Sequence, residues 1–381
     1  MKTKTLLRLY LTMSLLEEPL FWGPILLIAM AKLGNMSTEQ IFLSEALATG
    51  LILVLDAPSG MLADMIGRKT CVIVGKLCLL GCTFFLAFMD SPIHGYVANV
   101  LWAIGVSLRS GAESALIYDE LQKRDALDEY QTLMRKTHSY WFFLTAFTTL
   151  ATGFIAEIDL RLPLLLSLPG VIISSILILF FPAEEKRTHE HTLANYKKHM
   201  VEAMQEVWSN KRLKSLLLWL ALLGVMGKIY FFTYNPYLEL VHMPYSHVGI
   251  IFSTINILAF IASRYAFQIQ EKLKCVGFGI GFCLQGVVML IQGVFTHYLS
   301  GWLFGIQGLT RGYINTVSEP LLNKEIESER RATVLSFQSS LSSLLQVIGF
   351  LITSPLSGDI TMLLTLLGVV ALALGFLSRK V

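Results

Sequence analysis

The sequence predicts an all-α membrane protein of twelve transmembrane helices in two pseudo-symmetric six-helix bundles, and three observations carry that prediction. Of 381 residues, 54% are apolar and only 15% are charged, with a mean hydropathy of +0.61; a soluble domain is usually about one quarter charged. Twelve apolar runs, each bounded by polar, Gly or Pro clusters, fit this length at roughly 30 residues per span and loop. The basic residues also sort by side: 23 of the 30 Lys and Arg fall in segments assigned to one face, and only Lys32 and Arg161 to the other. That asymmetry is the positive-inside pattern and places both termini in the cytoplasm, in a cell (inner) membrane. Apolar–polar alternation, which a membrane barrel requires, is absent. A net charge of +3 is too small and too dispersed for a nucleic-acid partner.

In order, the first run covers 6–31. It follows a basic opening, Met1-Lys2-Thr3-Lys4, but is too long for a signal peptide and holds Glu17 and Glu18, so it is expected to stay as an uncleaved span. Pro19 frees the carbonyl of Leu15, which predicts a local kink. Runs 41–62 and 70–89 flank a glycine-containing polar loop, and 96–116, 141–158 and 162–181 complete the first bundle. Residues 182–214 form the only long polar stretch. There Leu193, Tyr196, Met200, Met204, Val207 and Trp208 mark one side of an amphipathic helix expected to lie on the inner membrane surface. His189, His191 and His199 in the same stretch fit no metal-binding spacing, and no metal or cofactor is expected. Runs 216–237, 248–267, 276–295, 299–322, 332–352 and 360–377 give the second bundle. The predicted domains are therefore 1–181, a linker at 182–214, and 215–381.

A weak internal echo joins the halves. Ile104-Gly105-Val106-Ser107-Leu108-Arg109-Ser110-Gly111 in the fourth run and Ile306-Gln307-Gly308-Leu309-Thr310-Arg311-Gly312 in the tenth each set small residues before a lone Arg and then a Gly. Repeat-built membrane proteins are organised in this way. Cys71, Cys78, Cys82, Cys275 and Cys283 lie in or beside apolar runs and read as packing residues, not as disulfide partners.

Between the second and third runs stands Gly60-Met61-Leu62-Ala63-Asp64-Met65-Ile66-Gly67-Arg68-Lys69-Thr70. This loop closely resembles the helix 2–3 signature of the major facilitator superfamily. Asp56-Ala57-Pro58-Ser59 and Ser110-Gly111-Ala112-Glu113-Ser114-Ala115-Leu116-Ile117-Tyr118-Asp119 look like a bacterial branch of it. Gly60 and Gly67 would permit a tight turn and close helix approach. The resemblance implies that Asp64 faces the start of helix 11 near Arg331 and Ala332, where free amides and the helix dipole favour an anion. It also implies that Arg68 pairs with Asp119, latching the two halves on the inner side. Met65 stands where relatives carry a basic residue. The Gly-Pro-rich helix 5 signature of drug/proton antiporters is not matched by Ala151-Thr152-Gly153-Phe154-Ile155-Ala156, which contains no Pro.

Ionisable groups in hydrocarbon cost at least ~2.5 kcal/mol each on insertion scales. At 1.5 Å per residue, Glu17 lies roughly 16 Å along its run, Arg109 about 20 Å, and Lys228 and Arg311 about 18 Å. All four fall near the middle of a core about 30 Å thick, on the first helix of each three-helix repeat, where the superfamily lines its central cavity. Glu17 or Glu18 is the candidate proton acceptor, with Asp56 a third. The two glutamates are about 100° apart on a helix, so only one is expected to face the cavity. Arg109, Lys228 and Arg311, with Tyr230, Tyr234, Asn235, Asn256, Gln307, Thr310 and Asn315, form the candidate substrate cavity, and its cations favour an anionic or zwitterionic solute. Two other readings stay open: a Glu bridging Arg109 permanently for architecture, and helix pairs Arg109–Glu113 and Arg311–Glu319. Arg264 and Lys76 lie nearer the helix ends, where snorkelling suffices. Thr145, Thr148, Thr149 and Thr152 read as backbone-bonding residues.

The resemblance therefore implies a secondary active transporter, not an enzyme, that moves a small solute by alternating access, with protons as coupling ion, the bilayer as surroundings and a monomer as the working unit. A drug/proton antiporter and a transport-dead solute receptor of the same fold are the alternatives. No nucleophile, base and acid converge at one depth.

Overall fold

A computed structural model describes residues 2–18, 20–182, 207, 210–273, 276–326 and 331–378, a few helical positions among them by backbone alone. Among these residues the chain is almost wholly helical and contains no strand. The protein is an all-α membrane protein, as the composition requires. With no water to bond exposed amides and carbonyls, a spanning segment satisfies its backbone internally.

The first half begins with α1 (Thr3–Leu15) and α2 (Leu26–Lys32), where one continuous span was expected. Pro24, which brings no amide to a helix ladder, and Gly23 lie in the non-helical stretch between them. Pro19, the expected kink, falls outside the described residues. Then follow α3 (Thr38–Ile66), α4 (Arg68–Ala87), α5 (Pro92–Gln122), α6 (Asp128–Ile158) and α7 (Leu162–Leu177), the last extended by a 3-10 turn over Ile178–Phe180. Helix α6 starts well before its apolar run, with Asp128 and Glu129 in its first turn, where carboxylates favour the helix dipole.

The second half holds α8 (Lys211–Leu240), α9 (Tyr245–Leu273), α10 (Val276–Val294), α11 (Tyr298–Gly301), a 3-10 stretch over Trp302–Ile306, α12 (Gln307–Glu325), α13 (Arg331–Thr353) and α14 (Ile360–Leu377). Asn210 caps α8 through the amides of Arg212 and Leu213. Asp359 caps α14, accepting from the amides of Thr361 and Met362 at 3.2 and 3.0 Å; those bonds hold its carboxyl below the usual range.

Among the described residues nine helices are long and apolar enough to cross a membrane, and Phe278–Val294 is a shorter apolar helix. The first expected span is missing from the nine because the α1–α2 break interrupts it, and the tenth because α12, with Arg311, Lys324 and Glu325, is not apolar enough. The ninth expected span corresponds to α10, Val276–Val294. Apart from Val207, the expected amphipathic linker helix, its three histidines and Cys275 lie outside the described residues.

The chain forms two compact units: Met1–Met36 with Leu47–Thr192, and Ser37–Ala46 with Leu193–Val381. Helix α3 thus begins in the second unit and continues in the first. In the first unit Leu6, Tyr10 and Met13 of α1 pack with Cys71 and Val72 of α4, Leu116, Ile117 and Leu121 of α5, and Ile178 and Phe181. Helices α4 and α5 approach closely: a Cβ on Gly105 would sit 2.9 Å from the Gly75 carbonyl oxygen, the small-residue packing that lipid-embedded helices use. The second unit has an aromatic interior. Phe42, Phe232 and Phe350 meet edge to face at centroid distances of 4.9–6.0 Å, and Tyr230 stacks on Phe304 at 4.9 Å. The internal echo is only partial in packing: Gly308 and Gly312 press against the α9 backbone at Ile255 and Ala259, whereas Gly111 has open space where a side chain would be.

Candidate functional site

The first unit gathers five charged side chains. Because α1 ends at Leu15, Glu17 and Glu18 sit in a bend, free of the 100° separation a helix would impose. Both reach Arg109 of α5. Its Nη1 bonds Glu17 Oε2, and its Nη2 lies 3.8 Å from Glu18 Oε1. Nη1 also meets Glu113 Oε2, one turn along the same helix, at 3.3 Å. Lys76 of α4 approaches from the other side, its Nζ 3.5 Å from Glu113 Oε1 and 3.8 Å from Glu17 Oε2. Lys76 Nζ also donates to Ser174 Oγ at 3.0 Å, and that hydroxyl in turn donates to the Met13 carbonyl at 2.8 Å.

Lys76 is 1% exposed, Glu113 6% and Arg109 9%, whereas the Glu17 and Glu18 side chains are 19% and 35% exposed. The cluster thus has a dry floor and a more accessible rim bearing two carboxylates. Three carboxylates against two cations leave one negative charge uncompensated when all are ionised. In a poorly solvated setting that excess is costly, and taking up one proton removes it.

Two expectations are corrected here. Lys76 does not snorkel: it is buried in the cluster, because α4 turns it toward Glu17, Glu113 of α5 and Ser174 of α7. The expectation that one glutamate alone faces the site also fails, since the helix stops before either is reached. The open reading of an Arg109–Glu113 helix pair holds alongside the Glu17 contact, so the two are not alternatives. Asp56 is exposed on α3 and, among the described residues, forms no ion pair with the cluster.

At the α3–α4 junction Gly67 has φ 94° and ψ 139°, a conformation only glycine adopts without strain. This turn places Arg68 Nη1 2.5 Å from Asp119 Oδ2, the pairing that the loop signature implied. Lys69 Nζ donates to the carbonyls of Leu179 and Phe181 at 3.0 and 2.5 Å, capping the end of α7. For Gly60, Asp64, Arg331 and Ala332 only the backbone is described, so the rest of the implied latch lies outside the described residues.

In the second unit the expected cavity residues separate. Lys228 Nζ bonds Glu45 Oε1 at 2.7 Å and lies 5.8 Å from the Phe350 ring centroid. Glu45 was missed by sequence reading; the signal was a carboxylate inside the second apolar run, four residues from its start. Tyr230, Tyr234 and Asn235 are buried, at 1, 1 and 2% exposure. The Tyr230 hydroxyl donates to Gln292 Oε1 at 2.7 Å and that of Tyr234 to the Val248 carbonyl at 3.3 Å. Asn256 is half-buried, whereas Arg311 and Asn315, one turn apart on α12, are exposed. Gln307 is 8% exposed, its Nε2 donating to the Gly227 carbonyl at 2.9 Å. Glu319, the open partner for Arg311, is described by backbone alone. Thr145, Thr149 and Thr152 donate to carbonyls one turn back on α6, as their sequence context suggested.

Among curated proteins none matches the chain. Solved structures do match it in fold. The nucleoside transporter NupG, in a mutant form, superposes with a TM-score of 0.78 at 14% identity, over 98% of this chain and 99% of that one. A POT family transporter in complex with a thioalcohol-conjugated peptide gives 0.69 at 13% identity, over 99% and 96%. A bacterial homologue of the human lysosomal transporter Spinster gives 0.68 at 15% identity, over 98% and 95%. The sequence model of the Major Facilitator Superfamily matches residues 10–350. With that match over most of its length, the chain belongs to the Major Facilitator Superfamily and is an integral, multi-pass membrane transport protein.

Proposed function

We propose that this secondary transporter is proton-coupled, that Glu17 carries the proton, and that the solute is small and anionic or zwitterionic. The observation that carries the reading is the charge count of the buried cluster: among the described residues, Glu17, Glu18 and Glu113 pair with Arg109 and Lys76. One carboxylate too many is a proton site, and Glu17 touches both cations while remaining partly accessible. When the rim is open to the more acidic side, Glu17 loads; when access reverses, Arg109 draws the carboxylate back and the proton leaves. The exposed Arg311, with Asn315 beside it on α12, is the charge left to receive an anionic group of the solute. Arg109 and Lys228 are already engaged by carboxylates and are not free to do so. In this reading the bundles 1–181 and 215–381 alternate access about the linker 182–214, in a monomer in the cell's inner membrane with both termini cytoplasmic, the orientation that the split of basic residues supports.

The test is transport. A panel of amino acids, short peptides, nucleosides and sugar phosphates is screened for thermal stabilisation of the purified protein, and flux of each stabilising compound is followed in proteoliposomes. The proposal expects a pH gradient to change flux about tenfold or more in the wild type and to leave a Glu17→Gln variant unaffected. Flux indifferent to the gradient in both proteins removes the proton; a solute that binds but never crosses favours a receptor.

A further inference from the structure

We infer that the second unit carries a site for one phospholipid with a net-negative headgroup, its acyl chain seated in a groove between α9 and α10 and its phosphate held by Lys272. The groove has a volume of about 240 Å³ and is lined by Ile261, Tyr265 and Ile269 of α9, Ile280 and Leu284 of α10, and Leu309 of α12. The site is independent of the proton reading and shares no residue with the acid cluster.

The groove exists because α9 and α10, though consecutive in the chain, are drawn to different partners. Helix α9 is held on α12: Gly308 and Gly312 press on its backbone at Ile255 and Ala259, and Ser263 Oγ meets Thr316 Oγ1 at 2.6 Å. Helix α10 is held on α14, where a Cβ on Gly286 would sit 2.9 Å from the Gly368 carbonyl oxygen and one on Gly375 3.0 Å from that of Gly279. Close glycine contacts of this kind fix helix pairs in lipid. A crevice is left between the two pairs, with α12 supplying its third wall.

The lining suits hydrocarbon. Thr310 and Tyr313 also border the groove, but their hydroxyls are spent elsewhere. That of Thr310 donates to the Gln307 carbonyl at 2.9 Å and accepts from Gln285 Nε2 at 3.0 Å, and that of Tyr313 donates to Gln270 Oε1. Ile261, Tyr265 and Ile280 are 42, 48 and 40% exposed, so the groove is open at its rim to whatever surrounds the helices. In a membrane those surroundings are acyl chains. A dry apolar cavity of about 150 Å³ already holds a benzene-sized group, whereas sites for whole drug-sized solutes start at about 300 Å³ and carry placed polar groups. This groove therefore fits a stretch of chain, which gains contacts on three helices that a flat helix surface does not offer.

The sign of the headgroup follows from α9. Ile261, Tyr265, Ile269 and Lys272 fall within an arc of about 80° on a helix, so the face that lines the groove ends in a cation just beyond Ile269. Gln268 lies one turn before Lys272, and both are exposed. Glu271 is turned about 100° away. Helix α9 ends at Leu273 and α10 begins at Val276, which puts Ile269 and Ile280 about 6 Å from those ends and Ile261 about 18 Å. The groove thus runs from the helix ends beside Lys272 to the middle of a core about 30 Å thick, the depth that the chains of one leaflet occupy. By the split of basic residues this is the cytoplasmic leaflet, where basic residues near helix ends attract anionic lipids.

The experiment is native mass spectrometry of the purified full-length protein in detergent, titrated with dioleoyl phosphatidylglycerol or with dioleoyl phosphatidylcholine. Phosphatidylglycerol is expected to bind about fivefold or more tighter than phosphatidylcholine, whose chains are the same. Lys272→Glu, a change at an exposed position, is expected to abolish that preference. Glu17→Gln is expected to keep it, which separates this site from the proton reading. Ile280→Trp, which adds bulk to the groove and leaves the charge alone, is expected to weaken the binding of both lipids. A phosphatidylglycerol carrying a photoactivatable diazirine in its chain locates the site in the wild type without relying on a variant folding, and is expected to label α9 and α10 between Ile261 and Leu284. Equal affinity for the two lipids, a preference that survives Lys272→Glu, or labelling confined to other helices would overturn the inference. So would binding of an uncharged single-chain alcohol, decanol, as tight as that of phosphatidylglycerol.

Discussion

Arg109 meets three carboxylates while Lys76, almost wholly buried, shares two of them. In such a network each charge is tolerated only because of the others, so removing a cation costs far more than the net value of any one pair. Arg109→Ala leaves Glu113 and Glu17 facing Lys76 alone and is expected to destabilise the protein by about 3–5 kcal/mol, read as a large fall in Tm, whereas Arg109→Ala combined with Glu17→Gln recovers part of that loss. Equal Tm values for Arg109→Ala and the wild type would show that the contacts are incidental. At this scale the sequence was informative about charge and uninformative about facing. Glu17, Glu18, Arg109, Lys228 and Arg311 stood out because charges in apolar runs are rare and costly. Counting residues along a helix gives depth, however, and says nothing about which neighbour a side chain meets. Lys76 was therefore misread as snorkelling, and the burial of Tyr230, Tyr234 and Asn235 was not foreseen.

The helices show the same division. Long apolar runs predicted α3 to α9, α13 and α14 well, because hydrocarbon leaves a spanning chain few alternatives. The interruptions were harder to see. The α1–α2 break runs over 16–25 and includes Gly23-Pro24; the sequence predicted a local kink at Pro19 within one continuous span, because apolar residues surround it. The 3-10 stretch before α12 carries no Pro and had no comparable signal. The turn between α3 and α4 was the most legible local feature, since Gly67 at φ 94° and the Arg68–Asp119 pair are both what the loop signature implied. That pair joins α4 to α5, and at 18 and 13% side-chain exposure it is shielded enough to matter. A double-mutant cycle on Arg68→Ala and Asp119→Ala is expected to give a coupling of about 1 kcal/mol or more. Additive losses in Tm would mean that each residue acts through other partners.

For the whole molecule, fold class and family were readable from composition, basic-residue asymmetry and one loop, and the family match over residues 10–350 bears this out. What the sequence could not give is how charge is distributed once helices pack. Arg109 and Lys228, expected to be free cations, are each held by carboxylates, Lys228 by Glu45, and the cluster around Arg109 carries a surplus acid. That surplus is the centre of the account, and infrared spectroscopy of the purified protein tests it without knowledge of the solute. The wild type should show a protonated-carboxyl C=O band that grows reversibly as pH falls, and Glu17→Gln should lose most of it while keeping the same helical amide signal. An identical band in both proteins, or none in the wild type over any pH at which it stays folded, would contradict proton uptake by this cluster.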